Sequence, residues 1–278
     1  MRLRARTRTV AALGVTVTAM ALPAGAGAVT LIGSGSSAAQ PYMLELFNAY
    51  SKIHHNIKFK YVPDGGNAGV KDVQQGRSEF SINTRPPEPS DAGTVYEKLF
   101  LDALCIGVNK SNSVSNISLT NLKNVFLGID TNWNQVAGSN LSTTIDPIGR
   151  NSAAGQYTFF QQSVLGGATQ ASNVAQDTSD GLVQNGISQS ANAIGYVGLA
   201  HSTASSIAPN IKALTVNGVP CKPAFIRNKS YPLFRFDWGV IPRSNPSIQV
   251  EEFLDWVRTS ATAGKVINRA GAVAAFNK

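Results

Sequence analysis

A two-lobed α/β architecture is what the 278-residue chain predicts, and three observations carry that expectation. From Val29 onward short apolar runs alternate with amphipathic stretches, the pattern of βα units around a largely parallel sheet. Once an N-terminal leader is set aside 250 residues remain, close to the limit for a single hydrophobic core. No internal repeat or long linker divides them, so lobes joined by crossing strands fit better than domains strung on a tether. With 43% hydrophobic and 14% charged residues, 25 Gly and 13 Pro, the composition excludes disordered, collagenous and coiled-coil classes.

The leader is residues 1–28. Arg2, Arg4, Arg6 and Arg8 precede an apolar stretch from Val10 to Leu22, then Pro23 and small residues ending Ala26-Gly27-Ala28, which is the order of a secretory signal. That stretch is short for a membrane span of about 20 residues, and neither a lipid-bearing Cys nor an Arg-Arg pair accompanies it. Export to a periplasm or the medium, without a lipid anchor, is the expectation. Removing the four arginines lowers the formal net charge from +8 to +4, too little for a duplex-binding basic face.

The elements follow in order. Val29 to Ile32 reads as a strand, and after Gly33-Ser-Gly-Ser-Ser37 a helix carries Pro41 in its first turn and Met43, Leu46, Phe47, Tyr50 and Ile53 at helical spacing. Ile57 to Val62 is the next strand, a turn from Gly65 to Gly69 opens a short helix through Gln75, and Phe80 to Asn83 is a third strand ended by Pro86, Pro87 and Pro89. Ala103 to Asn109 is a buried strand, and a helix from Thr120 to Leu127 stops at Gly128. Ile145 to Ile148 (strand), Gln156 to Leu165 (helix), Asp177 to Gln189 (helix) and Ala193 to Val197 (strand) repeat the alternation. Ile211 to Val216 and Tyr231 to Ile241 return as strands. Val250, Phe253, Leu254 and Val257 mark a helix, and Gly264 to Phe276 reads as another. Ala103 to Asn109 and Tyr231 to Ile241 are the candidate crossovers.

Cys105 and Cys221 are the only cysteines. An oxidising compartment permits a bridge, while the apolar run Ala103 to Val108 equally suits a buried thiol, and spacing alone leaves both open. His54, His55 and His201 show no ligand spacing with either Cys, so no metal is expected.

Four loops could carry chemistry. Gly33-Ser34-Gly35-Ser36-Ser37-Ala38 joins a strand to a helix, where free N–H groups and the positive end of the helix dipole favour an anion. It also fits the dinucleotide pattern G-x-G-x-x-G/A with Asp64 as the ribose acid. Export argues against an intracellular cofactor, and Asp64 lies beyond the usual spacing of about 20 residues. Pro63-Asp64-Gly65-Gly66-Asn67-Ala68-Gly69 and Ile82-Asn83-Thr84-Arg85-Pro86 end neighbouring strands at the same carboxyl edge, the side on which open α/β sheets bind ligands. Turn chemistry for Asn67 and a solvated charge for Arg85 are the plainer alternatives. Gly149-Arg150-Asn151-Ser152-Ala153-Ala154-Gly155-Gln156 sets a guanidinium fork beside the first N–H groups of a helix, a set of donors suited to one oxyanion. A secreted hydrolase using Ser36 or Ser37 as nucleophile is the enzymatic rival. It lacks a G-x-S-x-G elbow and an evident base.

In order, GSGSSAAQP, DGGNAGVKDVQQGRSEFSINTRP, LFLDALCIGVNKSNSVSNISLTNLKNVFLGIDTNW, PIGRNSAAGQYTFF, AIGYVGL and SYPLFR resemble the phosphate-binding proteins of the high-affinity phosphate ABC transporter over nearly the whole chain after the leader. Asn109 to Trp133 is the most specific stretch. The resemblance implies a type II periplasmic-binding-protein fold with crossing hinge strands, in which residues 29–106 and 233–278 form one lobe and residues 107–232 the other. It implies inorganic phosphate as ligand, permease subunits as partners, a monomer, and neither cofactor nor catalysis. The implied phosphate ligands are Ser36, Ser37, Ala38, Asn67, Thr84, Arg150, Ala154, Gly155 and Gln156. Ala154 and Gln156 stand where the family has hydroxyls, and Thr84 where some members have a proton-accepting aspartate. Another oxyanion, an organic phosphate, or an interaction protein that retains only the fold are therefore the alternatives.

Overall fold

A computed structural model of the chain describes residues 27–276, so the expected leader lies outside the described residues apart from its last two. The first lobe begins with β1 (Val29–Gly35), α1 (Gln40–Ile53), β2 (Ile57–Val62), α2 (Gly66–Gln74) and β3 (Phe80–Asn83). Strand β4 (Thr94–Asn109) then leaves it. The second lobe holds β5 (Asn116–Ile117), α3 (Leu119–Phe126), β6 (Asp146–Arg150), α4 (Gly155–Ser163), β7 (Ala175–Asp177), α5 (Asp180–Gln189), β8 (Ala193–Gly198), β9 (Ile211–Ala213), β10 (Thr215–Val216), β11 (Val219–Pro220) and α6 (Pro223–Arg227). The chain returns on β12 (Phe234–Pro242) and closes with α7 (Ile248–Thr259) and α8 (Ala261–Ala270).

The main sheet runs β2-β1-β3-β12-β4-β8-β6-β7. Within each lobe the outer strands are parallel, β1 with β2 and β3, and β6 with β7 and β8. The two long strands between them are antiparallel to their neighbours. Strand β4 pairs with β12 from Thr94 to Ala103 and with β8 from Leu104 to Val108, while β9 takes the edge that β12 leaves. Two strands thus cross between the lobes, the connection that hinge closure of two-lobed proteins uses, and each lobe keeps a core of its own.

Each lobe owns its packing. In the first, α1 buries Tyr42, Met43, Leu46, Phe47 and Tyr50, and Phe47 stacks on Phe59 with ring centroids 4.3 Å apart beside Phe253 of α7. In the second, Phe126, Phe160 and Tyr196 stack around a core that also buries Trp133. Cys105 of β4 is bonded to Cys221 ahead of α6, with Cα atoms 5.7 Å apart, which resolves the choice between bridge and thiols.

Several expected boundaries move. The crossover strand begins at Thr94, nine residues before Ala103, because pairing along β12 carries the polar Glu97 and Lys98 inside a strand. The stretch 211–216 breaks into β9 and β10, which pair with different partners. Residues 231–233 precede β12, with Tyr231 buried and donating its hydroxyl to Leu104 O at 3.1 Å. The last helix stops at Ala270, where Gly271 (φ +99°) turns the chain left-handed, so Phe276 is not helical. Ile53, expected on the buried face of α1, is exposed.

Candidate functional site

The cleft between the lobes is lined by the carboxyl ends of β1, β3 and β6 and the helix starts that follow them. Gly35 ends β1 at φ +121°, and its N–H donates to Asp64 Oδ1 at 3.1 Å. Ser36 turns back on its own helix: its Oγ accepts from Ala39 N–H at 3.2 Å, and its carbonyl accepts from the Tyr61 hydroxyl at 3.0 Å. Ser37 instead faces the second lobe, donating its hydroxyl to Asp180 Oδ2 at 3.1 Å and accepting from Asp180 N–H at 3.2 Å. The N–H groups of Ser37 and Ala38 have no acceptor among the described residues. Ala38 is fully buried, and a Cβ on Gly198 would crowd its methyl.

Across the cleft β6 ends in Arg150, 1% exposed. Its Nε donates to Asp177 O at 3.2 Å and Nη2 to Thr178 O at 2.8 Å. Its Nη1 donates to Gln156 Oε1 at 2.6 Å and pairs with Asp180 Oδ2. Helix α4 starts here: Ala154 is its N-cap with no side chain to cap it, so the first N–H groups, on Gly155 and Gln156, are left as donors. Thr84, just after β3, is fully buried and its Oγ1 has no partner among the described residues.

Asn67 sits at the seam in a different role. Its Nδ2 lies within hydrogen-bond reach of Ser152 O, Ala154 O and Thr158 Oγ1 at 3.0, 3.2 and 2.9 Å, and its N–H donates to Ala153 O at 2.9 Å. Its Oδ1 accepts from Arg85 Nε at 2.7 Å, while Arg85 pairs with Asp91 at 2.7 and 2.9 Å. The side chain clasps lobe to lobe, and Arg85 is a buried pair rather than a solvated charge.

Glycines make the closed cleft possible. A Cβ at Gly155 would overlap Asn83 Oδ1 and meet Thr84 Oγ1 at 3.0 Å, and one at Gly65 (φ +107°) would overlap the Ala153 carbonyl. Gly155→Ala is therefore expected to hold the lobes apart, seen as a larger radius of gyration in solution scattering and at least a tenfold loss of anion affinity, about 1.4 kcal/mol.

Two groups near the cleft escaped the sequence reading. Asp180 is fully buried, and its carboxylate accepts from Arg150 Nη1, Ser37 Oγ, Gln156 Nε2 (2.9 Å) and Gly198 N–H (2.7 Å). Burial raises its pKa, but Arg150, His201, the Gly198 N–H and Gln156 outweigh that and hold it below the ordinary value. The only hint was its place at a helix start, where an acid reads as a favourable dipole partner. On the crossing strands, Arg235 pairs with Asp102 at 2.8 Å, both buried. Beside them neither oxygen of Asp237 has a hydrogen-bond partner among the described residues. Burial, with Asp102 adding, lifts the Asp237 carboxyl well above the usual range.

Asp64 is pushed up to about 6, by burial first and then by Asp72. A raised acid binds its proton more tightly folded than unfolded, so its contribution is full below the unfolded value of about 4 and is lost as pH rises to about 6. Asp64→Asn should lack that loss, and denaturant unfolding at pH 4 and pH 7 should find the variant gaining on the wild type at the higher pH.

The phosphate-binding protein PstS of Borreliella burgdorferi is 26% identical over 246 residues, spanning 85% of this chain and 87% of the relative. That of Bacillus subtilis is 23% identical over 242 residues, 86% and 78%. A structure from Clostridium perfringens, assigned as a phosphate ABC transporter substrate-binding protein and containing bound phosphate, superposes with a TM-score of 0.80 at 22% identity, covering 88% of this chain and 99% of that one. An ABC-type phosphate transport receptor from Vibrio cholerae gives 0.70 at 22%, covering 87% and 99%. The family model described as a PBP superfamily domain matches residues 22–260, a span that holds both crossing strands and every residue of the cleft named above, and the chain belongs to the PBP superfamily.

Proposed function

We propose that this chain is an extracytoplasmic solute-binding protein that captures inorganic phosphate between its lobes and delivers it to an ABC permease. One observation carries the reading. The N–H groups of Ser37 and Ala38 in one lobe and of Gly155 and Gln156 in the other, and the Thr84 hydroxyl, have no acceptor or partner among the described residues, while the buried Arg150 guanidinium bonds Gln156 and, through Asp180, is linked to Ser37, and Gly155 abuts Thr84. Backbone dipoles fixed in a poorly solvated cleft bind an anion more strongly than water-exposed ones, and a planar guanidinium suits a tetrahedral oxyanion. Curated relatives named phosphate-binding protein support the choice of anion.

Catalysis has no support in the serines. The Ser36 hydroxyl is turned to its own helix and that of Ser37 to Asp180, and no histidine among the described residues bonds either. No helix among the described residues is long and apolar enough to cross a membrane. A second reading, a fold relative used for interaction without a ligand, draws on one fact: the Asp180 carboxylate already accepts from four groups of the cleft. Calorimetric titration of anion-stripped protein decides between them. Phosphate and arsenate should bind one site in competition, and heat from none of phosphate, arsenate or sulfate would overturn the proposal.

A further inference from the structure

The cleft already holds an anion, and it is part of the chain. Asp180 is the first residue of α5, yet that helix does not depend on its side chain, because Ser179 is the N-cap and its hydroxyl accepts from Leu182 N–H at 3.3 Å. The Asp180 carboxylate instead leaves its own helix. It gathers the guanidinium that ends β6, the Gln156 amide on α4, the N–H of Gly198 at the end of β8, and the Ser37 hydroxyl from the opposite lobe. Three of these four groups, Ser37, Arg150 and Gln156, belong to residues proposed above to receive phosphate. A buried carboxylate is costly unless paired and fully hydrogen-bonded, and here the pairing is assembled from both sides of the cleft.

We infer that Asp180 is a tethered stand-in for the ligand at Arg150: its carboxylate takes the guanidinium and the Ser37 hydroxyl, leaves the backbone N–H groups of Ser37, Ala38, Gly155 and Gln156 open, and holds the lobes together until an incoming phosphate displaces it. The inference rests on the phosphate reading and adds how that site is controlled. Two consequences follow from it. Ser37 and Asp180 join the lobes alongside the Asn67 clasp. Binding also requires Asp180 to turn out of the site, both to free its donors and to remove a like charge from contact with the ligand. The apparent affinity is then the intrinsic affinity reduced by the fraction of molecules with Asp180 turned out. If that fraction is below about one in ten, removing the carboxylate tightens binding at least tenfold.

The test uses wild type, Asp180→Asn and Asp180→Ala, each unfolded to strip bound anion and refolded. The amide variant keeps the shape and an acceptor for Arg150 while removing the charge, so it guards against a folding defect in the alanine variant. Phosphate titration should give at least tenfold tighter binding in both variants. Solution scattering without anion should give a compact wild type that phosphate leaves unchanged, and an Asp180→Ala protein that is more open and contracts on phosphate. Wild type that is silent to phosphate while Asp180→Ala binds it overturns the inference, because phosphate then does not displace the carboxylate. Affinity equal to or weaker than wild type in both variants overturns it and leaves the phosphate reading standing. Absence of phosphate binding in all three proteins overturns both.

Discussion

Arg150→Ala is expected to lose phosphate affinity by at least tenfold, about 1.4 kcal/mol or more, and to be destabilised by about 3–5 kcal/mol. Both effects come from the same burial. Arg150 is 1% exposed and Asp180 fully buried, so removing the guanidinium strands a carboxylate that only the Gln156 amide, the Ser37 hydroxyl and the Gly198 N–H still contact. An uncompensated buried charge is far more costly than the pair was favourable. The double variant Arg150→Ala/Asp180→Ala should therefore recover most of the lost stability while staying weak for phosphate. Denaturant midpoints of the four proteins in this cycle, read beside calorimetry, separate the pair from the ligand contact. Arg150→Lys should restore part of each, because an ammonium lacks the planar fork whose Nε and Nη2 reach Asp177 O and Thr178 O while Nη1 meets Gln156 and Asp180. A folded Arg150→Ala protein with unchanged affinity would remove Arg150 from the anion site.

What could be read from the chain, and what could not, divides along physical lines. Phe80 to Asn83 was legible to the residue, since four buried positions lie between polar breakers and a local rule sufficed. The start of β4 was not, because Glu97 and Lys98 lie in its solvent-side half, where the strand exists only through its partner β12. Arg150 at the end of β6 could be singled out from an arginine followed by small residues and a helix start. Asp180 could not, because its significance depends on Ser37, 143 residues away in sequence, and on Gly198, neither of which marks itself by pattern. Asn67 shows the other side of this: a polar residue in a glycine turn at a strand end suits a ligand contact and a clasp equally, and the bonds its amide makes to Ser152, Ala154 and Thr158 across the cleft depend on topology that local pattern does not carry. Local pattern finds elements and strand-end loops, whereas the partners of a buried polar group are set by topology.

Replacing both cysteines is expected to lower stability by about 2–5 kcal/mol. The bridge joins residues 116 apart, so in the unfolded chain it removes the freedom of nearly the whole second lobe; closing a loop of roughly 100 residues corresponds to about 4.7 kcal/mol in the chain-entropy account. The Cα separation of 5.7 Å lies in the usual range for a disulfide. Both residues also sit in the core of the second lobe, Cys105 fully buried on β4 and Cys221 nearly so, so Cys105→Ala/Cys221→Ala keeps the apolar character of the site and isolates the cross-link from a polar substitution. Serine at either position would confuse the two by burying a hydroxyl. Urea unfolding of wild type, reduced wild type and the alanine pair should place the last two together at a lower midpoint. A thiol reagent applied to unreduced, unfolded wild type should find no free thiol, and two thiols per chain in that assay, with midpoints that coincide, would show that the cross-link contributes nothing to this fold.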